Sequence, residues 1–336
     1  MLNVLTRPLA WVIAGFLAVV IVALAWFTLQ VDPIFSSPGR QEIIIVQPGA
    51  SISTIASELR TKGVIASPFA FRLDSLIFGT PLVHPGEYQL RQRSSFAQVR
   101  AVLTAPGIPI INVTAGLTLR EVENLVAQDV GTSYANRFAK AANAAITTTP
   151  YVSSGSLEGL IGPGSYLVTS QVTASDLVRE MVNAFTKEAT SAGLSPGTTI
   201  NGLSAYQLVI AASIVEKEGY YPKNMPKVAR VIFNRLARGG TLQMDSTVLY
   251  YYGQDGGVVT AKMLKTQTPY NTYLSPGLTP TPICTVSPSA IEAVLHAPPG
   301  AWLYFVLIDN QGNMHFSTTF QEQLKWERKV AAQGLG

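Results

Sequence analysis

Between Leu9 and Leu29 the sequence (LAWVIAGFLAVVIVALAWFTL) contains no charged residue. Wound as a helix at 1.5 Å per residue, it reaches about 31 Å, the thickness of one hydrocarbon core. Trp11 and Trp26 stand near its two ends, where amphipathic rings favour the lipid–water interface. Arg7 is the one side-chain charge ahead of it. Residues 1–8 are therefore expected to stay in the cytoplasm as a stub, residues 9–29 to cross the membrane, and the rest to be exported. A cleaved signal peptide competes with this reading, because Ala23-Leu24-Ala25 has the small-x-small form of a cleavage site. The apolar run is long for a signal-peptide core of about 7–15 residues, which favours a single-pass cell-membrane anchor. Under either reading the bulk of the chain is extracytoplasmic.

What is exported must fold on its own core. Hydrophobic residues make up 47% of the 336 positions and charged residues 13%, the opposite balance to a disordered chain, with length for two or three domains. Cys284 has no second cysteine to pair with, so neither a disulfide nor a Cys-based metal site can form. His84, His296 and His315 have no metal-ligand spacing, and neither a metal nor a cofactor is expected. Lys and Arg (24) barely exceed Asp and Glu (20), giving a net charge of +4 with no long basic run, which argues against a nucleic-acid partner.

Residues 30–41, which include Pro33, Pro38 and Gly39, read as a linker. A strand over Ile43–Val46 and a Pro48-Gly49 turn follow. Ile52, Ile55, Ala56 and Leu59 then mark a short amphipathic helix stopped by Gly63. Ser67-Pro68 opens a second helix carrying Phe69, Phe71, Leu73 and Leu76, and a strand over Gly86–Leu90 closes the unit. This βααβ order, over residues 42–105, resembles a LysM-like glycan-binding domain; a spacer setting height above the membrane fits the pattern as well. After the Pro/Gly stretch Ala105–Pro109, residues 106–336 form a larger α+β domain. A strand over Ile110–Val113 leads to a capping box, Thr118-Leu-Arg-Glu121, opening a helix with Val122, Leu125 and Val126. Residues Ala141–Ser156 read as a loop or weak helix, and Ala174–Ala192 as a helix. The fold class is α+β: a transmembrane helix, a small βααβ domain and a larger α+β domain.

The chemistry-bearing residues fall between Ser204 and His315. Ser204 opens a helix, SAYQLVIAASIVEKE, that ends at Gly219 and is almost wholly apolar from Leu208 to Ile214, as a buried helix is. At 100° per residue, Glu218 projects between Ile214 and Ala211, inside the apolar arc, with Ser213 and Lys217 opposite. Burial and the negative end of the helix dipole both disfavour a carboxylate there, keeping the acid protonated as a general acid requires. Glu216, farther round beside Val209, is the weaker candidate. A solvated position at a frayed helix end is the alternative for both. Met225–Leu236 is a second helix, with Asn234 and Arg235 near its end. Leu242–Tyr250 reads as a half-buried strand in which Gln243 and Asp245 alternate with apolar neighbours. Thr268-Pro-Tyr-Asn-Thr-Tyr273 gathers Tyr270, Asn271 and Tyr273 into a patch of rings, amide and hydroxyls suited to sugars; ordinary turn chemistry explains it equally. Ser287-Pro288 opens a helix through His296, and Trp302–Ile308 and Asn313–Ser317 form a hairpin. His315 reads as a surface or core residue rather than a catalytic one.

Several of these runs together resemble the YceG-like family of endolytic murein (peptidoglycan lytic) transglycosylases. They are Ala212-Ser-Ile-Val-Glu-Lys-Glu218, Val231-Ile-Phe-Asn-Arg-Leu236, Leu242-Gln-Met-Asp-Ser-Thr-Val248, Pro269-Tyr-Asn-Thr-Tyr273 and Tyr304-Phe-Val306, with Leu157-Glu-Gly, Pro163 and Tyr166 echoing one more motif. The resemblance implies that Glu218 is the catalytic residue and that the substrate is the peptidoglycan glycan strand. It further implies cleavage of the MurNAc-β-1,4-GlcNAc bond by the MurNAc C6 hydroxyl, leaving a 1,6-anhydroMurNAc end. Such a route needs no second carboxylate to activate water. Gln243, Asp245, Tyr270, Asn271 and Tyr273 are the expected glycan-binding residues, and proteins of cell-wall synthesis are possible partners by the same resemblance. The chain departs from the family pattern at Gly162 and Gly164, at Ser246 where Asp-Pro-Thr-Val is usual, and at Thr279 and Thr281, all expected around the groove. Two alternatives stay open from sequence: a hydrolytic muramidase using Asp245 as second carboxylate, and a non-catalytic peptidoglycan-binding scaffold.

Overall fold

One uninterrupted helix, α1 (Thr6–Val31), leads the chain, and its Trp11–Val31 portion is long and apolar enough to cross a membrane. The structure is a computed structural model describing residues 6–32, 39–47, 49–105, 107–145, 149–151, 155–219 and 221–334. Residues 1–5 of the expected stub, 33–38 of the linker, Pro48 and Pro106 of two expected turns, and residues 146–148 and 152–154 lie outside the described residues. The chain divides into two units, residues 1–110 and 111–336.

In the first unit, β1 (Gln41–Val46) pairs antiparallel with β2 (Gly86–Arg91), Gln41 opposite Arg91 and Val46 opposite Gly86. Alternation along the strands turns Ile44, Val46, Tyr88 and Leu90 inward. Three helices cover that face: α2 (Ile52–Thr61), α3 (Pro68–Phe78) and α4 (Phe96–Thr104). Each starts at a serine, Ser51, Ser67 or Ser95, whose hydroxyl accepts a first-turn backbone N–H, a cap worth about 1 kcal/mol. Ile55, Ala56 and Leu59 enter the core as their spacing predicts. In α3 only Phe71 of the four expected apolar residues does; Phe69, Leu73 and Leu76 are exposed. The inward face of α3 is instead Ala70, Phe71, Asp74 and Ser75, with buried Asp74 ion-paired to Arg100 of α4. The third helix is additional to the expected βααβ order.

The second unit contains the remaining elements. β3 (Ile110–Val113) pairs with β4 (Gly164–Leu167). Between them run α5 (Leu119–Asp129), capped by the Thr118/Glu121 box, and α6 (Thr132–Ala145). The Ala-rich start of the segment expected as a loop or weak helix is helical to Ala145, in line with alanine's helix propensity. Next come α7 (Ala174–Ser191), the two-residue hairpin strands β5 (Thr199–Ile200) and β6 (Leu203–Ser204), and α8 (Ala205–Gly219). After α9 (Met225–Ala237) follow α10 (Asp245–Tyr251), α11 (Ala261–Leu264) and α12 (Pro288–Leu295). The hairpin of β7 (Tyr304–Leu307) and β8 (Met314–Ser317) precedes α13 (Phe320–Ala332). His315 of β8 lies 3.2 Å from Glu322 and stacks on Trp326 of α13. The centre of the unit is α8, packed by α9, α12 and α10.

The expected strand over Leu242–Tyr250 is a correction. Inside–outside alternation holds only from Leu242 to Asp245. From Asp245 the chain is helical, and Thr247, Val248 and Leu249 are buried in succession, where a half-buried strand would turn the middle one outward.

Candidate active site

From Ala205 to Val215 every residue of α8 except Gln207 is buried. That includes Ser213, which the helical wheel sets opposite the apolar arc. The segment Ile283–Thr285 packs on that side: Ser213 Oγ donates to the Ile210 carbonyl (2.8 Å) and accepts the Ile283 N–H (3.0 Å), while the Cys284 thiol donates to the Ser213 carbonyl. Burial pushes the Cys284 thiol pKa well up, so this lone cysteine is an inert core residue.

In the last turn of α8 charged side chains emerge, and the three of Glu-Lys-Glu go to separate partners. Glu216 Oε2 accepts the backbone N–H (2.9 Å) and hydroxyl (2.6 Å) of Ser287, at the start of α12. Lys217 Nζ reaches Asp255 at 2.5 Å. Glu218 Oε1 accepts the backbone N–H (3.3 Å) and hydroxyl (2.7 Å) of Ser246, and its side chain lines an open cleft of about 870 Å³. Crowding by protein atoms raises the Glu218 pKa above the ordinary carboxylate range, and the neighbouring Asp245 charge adds to this. The Ser246 hydrogen bonds and the Arg235 charge pull it back without cancelling it.

A short left-handed step delivers Asp245 and Ser246 to Glu218. Gln243 has φ +51°, a conformation costing a non-glycine residue roughly 1 kcal/mol. It is held by Thr272, whose carbonyl accepts the Gln243 N–H (2.9 Å) and whose hydroxyl accepts the Met244 N–H (3.0 Å). Thr247 Oγ1 donates to the Met244 carbonyl at 2.7 Å and closes the first turn of α10. From the other side Arg235 donates to the carbonyls of Leu242 and Leu303.

The expected binding residues divide accordingly. Asp245 and Tyr270 line the cleft with Glu218. Tyr270 shares a 2.9 Å hydrogen bond with Thr281 and packs its ring 5.1 Å from that of Tyr250. Tyr273 donates to Asp245 Oδ1 at 2.6 Å and, like exposed Gln243, is not among the cleft's lining residues. Asn271 is wholly buried. Its amide donates to the carbonyls of Leu264 (3.0 Å) and Thr266 (2.9 Å), and its carbonyl accepts the Tyr273 N–H (3.1 Å). It therefore braces the loop from inside.

The cleft also holds a carboxyl to which the sequence reading gave no role. In Leu157-Glu-Gly, Leu157 enters the core. Gly159 takes φ +73° where a Cβ would meet Pro282 at 2.3 Å, and Glu158 lines the cleft. Glu158 accepts the N–H of Leu119 (2.9 Å), at the start of α5, and the hydroxyl of Tyr250 (3.0 Å). Burial lifts its pKa to about 7 despite those bonds. The motif was visible in the sequence, but its distance from Glu218 along the chain hid the shared cleft.

The YceG-like family pattern matches residues 44–329. The chain belongs to the YceG-like family. It is 30% identical over 307 residues to the endolytic murein transglycosylase of Bacillus subtilis (strain 168), covering 85% of this chain and 84% of that one. A protein of the same name from Streptococcus pneumoniae serotype 2 is 25% identical over 335 residues, covering 89% of this chain and 59% of that longer one. A crystal structure of a YceG-like protein from Listeria monocytogenes matches at TM-score 0.63 and 26% identity, over 85% of this chain and 98% of that one. Of the five positions expected to depart from the YceG-like pattern, only Ser246 lines the cleft, and Thr281 touches it through its hydrogen bond to Tyr270. Gly162 sits against α7, where a Cβ would come within 2.5 Å of the Phe185 nitrogen, Gly164 opens β4, and Thr279 bonds the Thr281 carbonyl (2.8 Å). The expectation that all five border the groove is corrected to that extent.

Proposed function

We propose that this chain is a membrane-anchored endolytic lytic transglycosylase, held by α1, that cleaves the MurNAc-β-1,4-GlcNAc bond inside peptidoglycan strands and leaves a 1,6-anhydroMurNAc end. The observation that carries the reading is Glu218: a carboxyl that lines an open cleft at the end of a buried helix, beside Asp245 and Ser246, with surroundings that favour its protonated form. As an acid it donates its proton to the departing glycosidic oxygen. As the resulting carboxylate it accepts the proton of the MurNAc C6 hydroxyl while that oxygen bonds to the anomeric carbon. The nucleophile belongs to the substrate, so proximity supplies much of the rate. Tyr270 and Asp245 contact the glycan within the cleft, Gln243 at its edge, and Asn271 and Tyr273 hold that wall in place. The names of the Bacillus and Streptococcus relatives support the same reaction. The first unit adds a LysM-like glycan contact near the membrane.

The test is mass spectrometry of the products released from purified glycan strands by the full chain in detergent. Wild type is expected to yield anhydro-ended fragments, and Glu218→Gln to lower their release by about 10²–10⁴-fold with unchanged thermal unfolding. Because Asp245 lines the same cleft, hydrolysis is the second reading, and reducing-end fragments select it. Pull-down of wall material with no fragment release by either protein selects a scaffold.

A further inference from the structure

Helix α3 has two apolar faces. Ala70 and Phe71 close the core of the first unit, while Phe69, Leu73, Leu76 and Ile77, at helical spacing, face outward and are exposed, Leu76 by 79%. Phe78 and Leu82 continue the surface, Leu82 exposed by 75%. Six large apolar side chains within residues 69–82 are thus exposed, a concentration of the kind soluble surfaces avoid.

The neighbouring helix indicates what covers them. α1 packs against α3, and Phe27 and Val31, from its last turns, add to the core of the same unit. Val31 is also the last residue of the apolar span. Packed helices lie about 8–10 Å apart axis to axis, and the headgroup zone beyond each side of the hydrocarbon is roughly 5–8 Å deep. A helix packed on the end of a membrane span therefore lies within reach of that zone. We propose that the outward face of α3, with Leu82 after it, is seated in the lipid–water interface of the membrane that α1 crosses. This rests on the reading of α1 as an anchor. Exposed Arg72 flanks this face, its guanidinium donating to the Ser53 hydroxyl of α2 at 3.3 Å. Basic residues outnumber acidic ones by seven to four over residues 39–110, which selects an anionic leaflet. The first unit is thereby held flat on the bilayer and does not swing on a tether.

The full chain is reconstituted in vesicles of phosphatidylcholine and phosphatidylglycerol. A single bimane probe is attached at Leu76→Cys, Leu82→Cys or Val19→Cys; native Cys284 is buried, and unsubstituted protein gives the labelling background. Quenching is read with lipids carrying a nitroxide just below the headgroup. Quenching at both Val19 and Leu76 is the expected result. Quenching at Val19 without Leu76 overturns the seating and leaves the anchor standing; none at Val19 overturns the anchor and the seating with it. In Leu73→Gln/Ile77→Gln protein, quenching at Leu82 is expected to fall by about two-fold or more as the apolar contact weakens, with the circular dichroism unchanged. Unchanged quenching there shows that this face does not hold the unit down and overturns the proposal. A blue shift at Leu76 that needs no quencher and grows with protein density assigns the face to a second copy of the chain and also overturns it.

Discussion

Ser246 gives both its backbone N–H and its hydroxyl to one oxygen of Glu218, at 3.3 and 2.7 Å. Both bonds favour the carboxylate and lower a pKa that enclosure raises. The sequence resemblance leads one to expect proline here, which has neither donor, and a first helical turn tolerates proline. Ser246→Pro removes both bonds and Ser246→Ala one, so each raises the Glu218 pKa, proline more. Since the first step uses the protonated acid, the alkaline limb of kcat/KM moves to higher pH in that order. The measurement is anhydro-fragment release across a pH series; an unmoved limb means the hydroxyl does not set this acid's strength.

The other glutamate of the run makes a control. Glu216 anchors the start of α12 through Ser287 and is not among the residues lining the cleft. Glu216→Ala removes two hydrogen bonds to a charged acceptor and is expected to lower unfolding free energy by roughly 2 kcal/mol. In a urea titration the midpoint falls, while kcat on glycan strands stays at the wild-type value.

What the sequence made legible follows from the range of the forces involved. Glu218 could be placed because helical angles within α8 fix which side chains share a face, and that arithmetic needs no distant residue. Two-sided apolar patterning misled at α3, where spacing identifies the helix but not which face meets the core. The short alternation of Leu242–Met244 is the same in a strand and in the extended approach to a helix, so α10 was hidden until Thr272 was seen fixing the turn. Composition around Tyr270–Tyr273 could not separate wall from brace, because the partners of Asn271 are backbone carbonyls of Leu264 and Thr266. For α4 the signal was present locally, in the Ser95/Gln98 capping box and the spacing of Phe96, Val99 and Leu103.

Thr281 is buried, and its hydroxyl reaches Tyr270 (2.9 Å) and the Pro282 carbonyl (2.8 Å). Thr281→Val keeps the shape and frees the Tyr270 ring, so binding suffers more than the chemical step. KM for a defined glycan strand is expected to rise severalfold with kcat little changed. An equal fall in kcat instead would assign Tyr270 to the reacting atoms.

Glu158 links the cleft to stability. Its pKa is about 7 in the folded chain against about 4.3 in an unfolded one. The unfolded state therefore loses its proton first as pH rises. Stability is fully present below the unfolded value, declines between about pH 4 and 7, and is level above that, with a total on the order of 3 kcal/mol for this group alone. Glu158→Gln keeps an acceptor for the Leu119 N–H and gives the Tyr250 oxygen a donor, without the titration. Its Tm is expected to match wild type near pH 4 and to exceed it at pH 8, since the wild-type carboxyl is charged and enclosed there. Scanning calorimetry at the two pH values reads the difference directly. Parallel Tm curves for the two proteins would show that Glu158 titrates as an ordinary surface acid.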